Sequence, residues 1–455
     1  MSDNEDHIEY ESESYFIDTI CEVIYDRYII IKYVSYGTFS RVWLGYDPIE
    51  DKCMILKLQH PEYLEDAKEE YEMIRKIDTT KCPRLSHVYD GFEILKYNER
   101  SFAFIMEILG QSLYDYIDKN DRLEFSDSIR IFKEILSALD YVHNKGFIHT
   151  DIKSENILFE EKSESIKNFL NFFNSLEPQK KFQEIMTSNL PEDYNSRTTE
   201  ARRKLRKRAK SKSVILLAEV LKEELQEYIY NNLSDSDSDT EDYYDSDSDS
   251  DSDAGLELET DSDPETELKP TQESRVQKQE TVLTQRPKLS SVKLSDFGGC
   301  VDKDYNYTNI QTRSFRALEV ILGEDITEKI DIWSMGPLLF EMVTGEEMFD
   351  LEEFSGENRE CDRKHLSEIV KYLGKIPEEI SLECENTYKL FTKNNKIKDY
   401  PKIKRVSLKD RLPSNFTEKQ KDIIQTIVSE CCVYNPNKRK NAKQLLEFVN
   451  SLDTN

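Results

Sequence analysis

The stretch "SDSDSDTEDYYDSDSDSDSD" (234–253) sets the first constraint. Between Asn231 and Pro270, 16 Asp and Glu face a single Lys. Such a segment cannot bury enough apolar surface to offset the entropy of ordering, and its charges repel one another. Any core in this 455-residue chain must therefore be assembled from the sequence on either side of it. The length exceeds one ordinary core and fits two lobes or two domains. About half of the net charge of −29 sits in this one stretch, so bulk charge argues neither for nor against nucleic acid.

Upstream, residues 1–25 read as a polar tail. From Asp26 the segments "RYIIIKYVS", "SRVWLGYD", "CMILKLQ" and "SFAFIMEIL" are β-branched and aromatic, with turn residues between them, and predict strands. "LEDAKEEYEMIRKI" (64–77) has a helical apolar period. "SIRIFKEILSALDYVHNKG" (128–146) predicts a helix capped by Gly146. A strand-rich part thus precedes a helical one. Composition then breaks between 161 and 288. A partly helical piece comes first, then "ARRKLRKRAKSK" (201–212) with eight basic residues, then the acidic tract. "SVKLSDFGG" (291–299) restores globular character, which continues through "KIDIWSMGPLLFEMVTG" to the end.

"VSYGTFSRV" (34–42) turns between two strands, with Gly37 flanked by Ser35 and Ser40 inside the frame Val34 to Val42. Lys57 ends the strand "MILK", and Glu70, thirteen residues on, lies on a helix that can face it. "HTDIKSEN" (149–156) places Asp151, Lys153 and Asn156 in one loop, and "DFG" puts Asp296 after a later strand. Phosphoryl transfer from ATP needs this kit. A flexible loop covers the phosphates, a Lys paired to a Glu holds them, a carboxylate takes or orients the hydroxyl proton, and two groups hold Mg²⁺. Asp151 suits the proton, Lys153 the transferring phosphoryl group, and Asn156 and Asp296 the metal.

The motifs recur in order from 26 to 449, broken only by the insert, and resemble the eukaryotic protein kinase fold. "HTDIK", "IQTRSFRALEVILG" (310–323) and "YLGKIP" (372–377) resemble the SR-protein kinases of the CMGC group, whose two halves are also split by a long spacer. The LAMMER-type kinases share "HTD", but their signature helix motif is absent from "RKHLSEIVKYLG" (363–374). The resemblance implies an α+β bilobal fold with a largely disordered insert. A tail (1–25) would lead to the N-lobe and hinge (26–110) and the first part of the C-lobe (111–160). The spacer (161–288) would separate these from the rest of the C-lobe (289–455). It implies ATP and Mg²⁺ as cofactors, and protein substrates phosphorylated on Ser or Thr in Arg/Ser-rich segments. Met106 is similar to the gatekeeper, Glu107 and Leu109 would offer backbone groups to adenine, and Thr312 in "QTR" fits the Ser/Thr-specific pattern. Glu319 would pair with Arg439, and Asp331 would brace the catalytic loop.

The resemblance also exposes departures. Thr150 stands where most kinases have an Arg that docks a phosphate on their own activation segment. With only 24 residues from Asp296 to Glu319, the segment is expected to be held by packing and hydrogen bonds, and the enzyme to be active unphosphorylated. Tyr305, Tyr307 and Thr308 remain possible phosphosites. Two acids of the family's Arg-reading groove fall at Lys364 and Lys371, with Glu357, Glu360, Asp362 and Glu368 near enough to compensate. Ser154 replaces a Pro at a position without charge or metal.

The insert leaves between "NILF" and "VKLS", strands that in kinases pair as a hairpin about 5 Å apart. Lengthening that turn to roughly 130 residues costs about 2.4 kcal/mol, at about 0.6 kcal/mol per doubling. The basic run reads as an import signal (202–210), a solvated helix face or a partner for the acidic tract. That tract reads as a spacer, a substrate for acid-directed kinases or a competitor for Arg-rich ligands. The helix at 213–232 has apolar residues to pack on the kinase or on a partner. A scaffold without catalysis would have lost Lys57, Asp151 or Asp296. An RNA-binding role would want aromatics among the basic residues. Direct nucleic-acid binding is not expected, nor is a membrane association, and a monomer is. Eight Cys without a C-x-x-C pair, an acidic N-terminus and no run of 18 apolar residues point to an intracellular, unsecreted protein.

Overall fold

The computed structural model describes residues 20–37, 40–96, 99–232, 289–303, 310–351, 359–383, 387–400 and 402–453. Two units emerge, one of residues 1–227 with 290–455 and one of 228–289. The smaller holds, among described residues, the last turn of a helix, where Asn232 N donates to Tyr228 O at 3.1 Å.

The larger unit opens with an antiparallel sheet in the order β1-β2-β3-β4-β6-β5. Its strands are β1 (Val23–Ile24), β2 (Tyr28–Gly37), β3 (Ser40–Asp47), β4 (Lys52–Gln59), β5 (Val88–Lys96) and β6 (Glu99–Met106). The sheet thus begins inside the segment read as tail, because Val23 and Ile24 pair with Ile29 and Tyr28. α1 (Leu64–Ile77) buries Ala67, Glu70, Ile74 and Ile77, spaced to share one helical face. One of those four is a carboxylate.

The second lobe is helical. α2 (Leu113–Asn120) and α3 (Phe125–Asn144) lead to β7 (Phe147–Ile148) and β8 (Ile157–Phe159). α3 ends before Gly146, whose φ of 90° a side chain would resist. After the insert come β9 (Val292–Leu294), β10 (Val301–Asp302), α7 (Leu318–Leu322), α8 (Lys329–Thr344), α9 (Arg359–Leu373), α10 (Glu378–Glu383), α11 (Thr387–Leu390), α12 (Glu418–Cys431) and α13 (Ala442–Ser451). α8 is buried from Ile330 to Val343, which makes it the post on which the lobe is built. β8 pairs antiparallel with β9, Ile157 opposite Leu294, so the hairpin closes across the whole insert.

Composition placed the spacer boundary at 161, but the larger unit runs through Glu227. The reason is burial. The insert begins with α4 (Glu164–Ser175), α5 (Pro178–Ser188) and α6 (Thr199–Asn231). Phe169, Phe173 and Phe182 are shielded from solvent, as are Val214, Leu217, Leu221 and Leu225 of α6. The Phe173 ring meets Tyr46 of β3 edge-on at 5.0 Å, and Lys32 of β2 lies 5.5 Å from the Phe169 ring. The acidic tract lies outside the described residues. No helix among the described residues is long and apolar enough to cross a membrane.

Candidate active site

The floor of the site is the loop that follows β7. Asp331, fully buried at the start of α8, accepts the backbone N–H groups of His149 and Thr150, both at 2.8 Å, and lies 2.8 Å from His143 Nε2. This is the bracing expected of it. Asp151, so held, gathers three partners. Its Oδ1 accepts the Thr312 hydroxyl at 2.6 Å. Its Oδ2 accepts Asn156 Nδ2 at 2.8 Å and stands 3.1 Å from Lys153 Nζ. Lys153 Nζ also donates to Thr312 Oγ1 at 3.3 Å. Burial pushes the Asp151 carboxyl up, but the Thr312 hydroxyl and the Lys153 charge outweigh it and hold it below the ordinary value. Four of the residues singled out in sequence thus form one hydrogen-bonded cluster.

β9 delivers Asp296, at a φ of 63°, and Phe297, whose buried ring lies 5.6 Å from that of His149. β4 delivers Lys57, whose Nζ is 4.0 Å from Asp296 Oδ1. Glu70 lines the same cavity. The closed Lys57–Glu70 pair expected from sequence is not formed, since no N–O separation between them falls within 4 Å. Their charges still act on each other. Burial lowers the Lys57 pKa, while Glu70 and Asp296 raise it further, so the ammonium persists. Burial raises Glu70, and Lys57 only partly offsets this.

A cleft of 620 Å³ lies between the lobes. Val34, Ser35 and Val42 line it from the sheet, Met106, Glu107 and Leu109 from the connection between lobes, and Lys57, Asn156 and Asp296 at its inner end. A second cavity of 590 Å³ shares Lys57, Glu70 and Asp296 with it and adds Ser40, Asp151 and Lys153. Gly37 ends β2 opposite Ser40, while the loop tip at 38–39 lies outside the described residues. Glu107 is more committed than expected. Its N–H donates to His87 O at 3.0 Å, and its carboxylate takes Lys293 Nζ at 2.6 Å and His87 N at 2.7 Å.

Sequence reasoning missed part of this wall. Ser163 and Ile166, at the start of α4, line the cleft. Gly110 is packed so tightly under the insert that an added Cβ would lie 1.9 Å from Glu161 O. The helical period of α4 was legible, but a period does not name the surface a helix will cover.

The segment after Asp296 is tied down on α8. Gln311 Nε2 donates to Ser334 Oγ at 2.8 Å and Ile330 O at 3.1 Å, while its Oε1 accepts Ala317 N at 2.9 Å. Arg439 and Glu319 form the expected pair, bidentate at 2.7 and 3.0 Å and sealed from solvent. Tyr305, Tyr307 and Thr308 lie outside the described residues, as does Glu357. On α9, two of the acids expected to compensate for Lys364 and Lys371, Asp362 and Glu368, are already engaged. Both lysines contact Glu368, at 3.1 and 2.8 Å, and Asp362 takes Arg313 at 2.8 Å and Arg359 at 3.2 Å.

A divalent cation fits what is present. Asp296 is about half exposed and shares the cleft with Asn156. No cluster of three or more His, Cys, Asp or Glu suited to a metal occurs among the described residues. Mg²⁺ is usually held by one or two carboxylates completed by substrate phosphate and water, and an Asp with an Asn is the pair that phosphoryl transfer of this kind uses.

The protein kinase domain family matches residues 28–188 and 277–449, on both sides of the insert. The chain belongs to the protein kinase family. This kinase is 26% identical to serine/threonine-protein kinase spk-1 of Caenorhabditis elegans, over 98% of this chain and 50% of that one. It is 24% identical to SRSF protein kinase 3 of Mus musculus, over 98% of this chain and 90% of that one. It is also 24% identical to protein kinase dsk1 of Schizosaccharomyces pombe, over 91% and 79%. The chain spans half the length of the nematode relative and most of the other two. The resemblance to SR-protein kinases drawn from the motifs is thereby borne out, and kinases of this family generally use ATP and Mg²⁺.

Proposed function

We propose that this kinase transfers the γ-phosphoryl group of ATP to Ser or Thr hydroxyls in Arg/Ser-rich protein segments, without phosphorylation of its own activation segment. The observation that carries the reading is the Asp151–Thr312–Lys153–Asn156 cluster, which opens onto the same cavity as Lys57 and Asp296.

Each residue has a task there. Val34, Val42 and Leu109 enclose the base, and the backbone at Glu107 and Leu109 fixes its edge. Lys57, kept charged by Glu70 and Asp296, holds the α/β-phosphates. Asn156 and Asp296 hold Mg²⁺, which neutralises charge on the β/γ-phosphates when bound. Asp151 orients the incoming hydroxyl. Held below the ordinary carboxyl value, it is a weak base and takes the proton late, once bond formation has made the hydroxyl acidic. Lys153 stabilises the transferring group.

Arg-rich substrates are supported by charge beside the floor as well as by the relatives. Ser154 Oγ donates to Glu341 Oε1 of α8 at 2.8 Å. Burial first, and then the carboxylates of Glu155 and Glu347, push Glu341 up to about 7. Glu341 Oε2 is buried without a partner. A substrate guanidinium at the exposed Glu155 and Glu347 would relieve the part of this shift that comes from like charge.

The test is ³²P transfer from Mg-ATP to an Arg-Ser repeat peptide, beside Lys-Ser and acidic Ser peptides. Labelling of Arg-Ser alone is expected. Labelling of another peptide only would discard the substrate class, and no labelling or autophosphorylation would discard the activity. Replacing Tyr305, Tyr307 and Thr308 by Ala should leave the rate within threefold, whereas a hundredfold loss would refute independence from loop phosphorylation.

A further inference from the structure

Thr150 sits at a φ of 69°, buried. The left-handed region crowds a branched Cβ, and a β-branched residue stays there only when its surroundings over-determine it. Two hydrogen bonds do so. The Thr150 N–H donates to Asp331 Oδ1 at 2.8 Å, and its hydroxyl donates to the carbonyl oxygen of Gly299 at 2.6 Å.

Gly299 directly follows the Asp296–Phe297–Gly298 triad. The backbone there makes a short turn, with Cys300 N donating to Phe297 O at 3.0 Å. His149 Nε2 holds the chain just before the turn, 3.2 Å from Ser295 O. The Val301–Ile148 strand pair holds it just after. Between those anchors, the Thr150 hydroxyl grips the turn that carries Asp296. The approach is close, since a Cβ on Gly299 would lie 2.9 Å from Thr150 Oγ1.

We propose that Thr150 is a positioning residue whose hydroxyl locks the turn carrying Asp296 to the loop carrying Asp151. The relative placement of the two carboxylates is then fixed without any charge on the activation segment. A buried Arg in this place would need an anion to offset its desolvation, whereas a hydroxyl needs only a carbonyl. This inference rests on the kinase reading above, whose site it regulates.

Thr150→Val keeps the shape and removes the donor, and Thr150→Ser keeps the donor. Steady-state rates with the Arg-Ser peptide across a Mg²⁺ series should show the Val variant about tenfold lower in kcat, equivalent to about 1.4 kcal/mol. Its half-saturating Mg²⁺ should rise severalfold with the peptide KM unchanged, and the Ser variant should recover both values to within twofold. A Val variant within twofold of the parent overturns the proposal. So does a loss of rate with an unmoved Mg²⁺ dependence, which a merely structural role would give.

Gly299→Ala guards against misfolding of the Val variant. Alone it should cost about tenfold by pressing on Thr150 Oγ1. Added to Thr150→Ala it should cost nothing more, and additive losses overturn the tether. If the parent enzyme transfers no phosphate, the kinase reading has failed separately. The ratio of ADP affinities with and without Mg²⁺ then still reads the tether, because it should fall in the Val variant and recover in the Ser variant.

Discussion

The floor and the roof of the cleft are in different states of completion. On the floor, Asp151, Lys153, Asn156 and Thr312 are joined by contacts of 2.6 to 3.3 Å and braced from below by Asp331. In the roof, Lys57 stands 4.0 Å from Asp296 and beyond ion-pair distance of Glu70. The floor rests on α8, a helix buried along nearly its whole length. The roof rests on a strand and on a helix from the other lobe. A group held by a packed core needs no ligand to be in place, while one held across a cleft waits for the ligand to close it. On the function proposed above, orientation of the hydroxyl is built in, and alignment of the phosphates is completed on binding.

The largest effect expected from this contrast is at Asp151. Asp151→Asn keeps the shape and the Thr312 contact but loses the charge. It should lower kcat about 1,000-fold while leaving ATP affinity, a property of the roof, within about threefold. Equal losses in kcat and in ATP affinity would show that floor and roof act as one unit.

Much of the floor was legible in sequence, because "HTDIKSEN" and "DFG" carry their chemistry in short local spacing. Asp331 and the Glu319–Arg439 pair were legible only through the family pattern, since their partners lie far off in the chain. What escaped notice is long-range and sterically specific. Ser154, read as neutral, bonds a buried acid 187 residues away. Glu368 and Asp362, read as spare charge, are bound by the chain's own cations. The boundary at 161 was drawn on polar composition, which gives no sign that Phe169 and Phe173 are buried beside Lys32 and Tyr46 of the sheet.

That boundary offers the next test, one directed at the roof. Phe173→Ala would leave a cavity beside Tyr46 and should cost about 3 to 5 kcal/mol of stability, measured by denaturant unfolding. Deleting 234–266, which lies outside the larger unit, should leave stability and kcat unchanged. Should the two changes be equally mild, α4 would be a passive spacer and the roof would stand without it. On the floor side, the folded state raises Glu341 to about 7 from an ordinary 4.5. Its contribution is thus fully present below the ordinary carboxyl value and is lost as pH rises through about 7, a difference of up to about 3 kcal/mol. Glu341→Gln should melt a few degrees above the parent at pH 8 and level with it near pH 4. A gain of the same size at both would assign it to packing and not to charge.

The smallest effect expected on activity separates floor from roof by pH. Ionised Glu70 is the form that attracts Lys57, and burial raises its pKa, so that form is lost at a higher pH than for an ordinary Glu. Asp151 is shifted the other way and stays ionised further into acid. On acidification the roof should therefore fail before the floor, and the acid limb of kcat/KM for ATP should lie above the ordinary carboxyl range. Glu70→Gln should cost about tenfold at pH 7.5, equivalent to about 1.4 kcal/mol. It should also flatten that limb, because the group that titrates there is gone. An acid limb that survives Glu70→Gln unchanged would belong to another group, and the open geometry around Lys57 would then have no part in setting how the enzyme responds to pH.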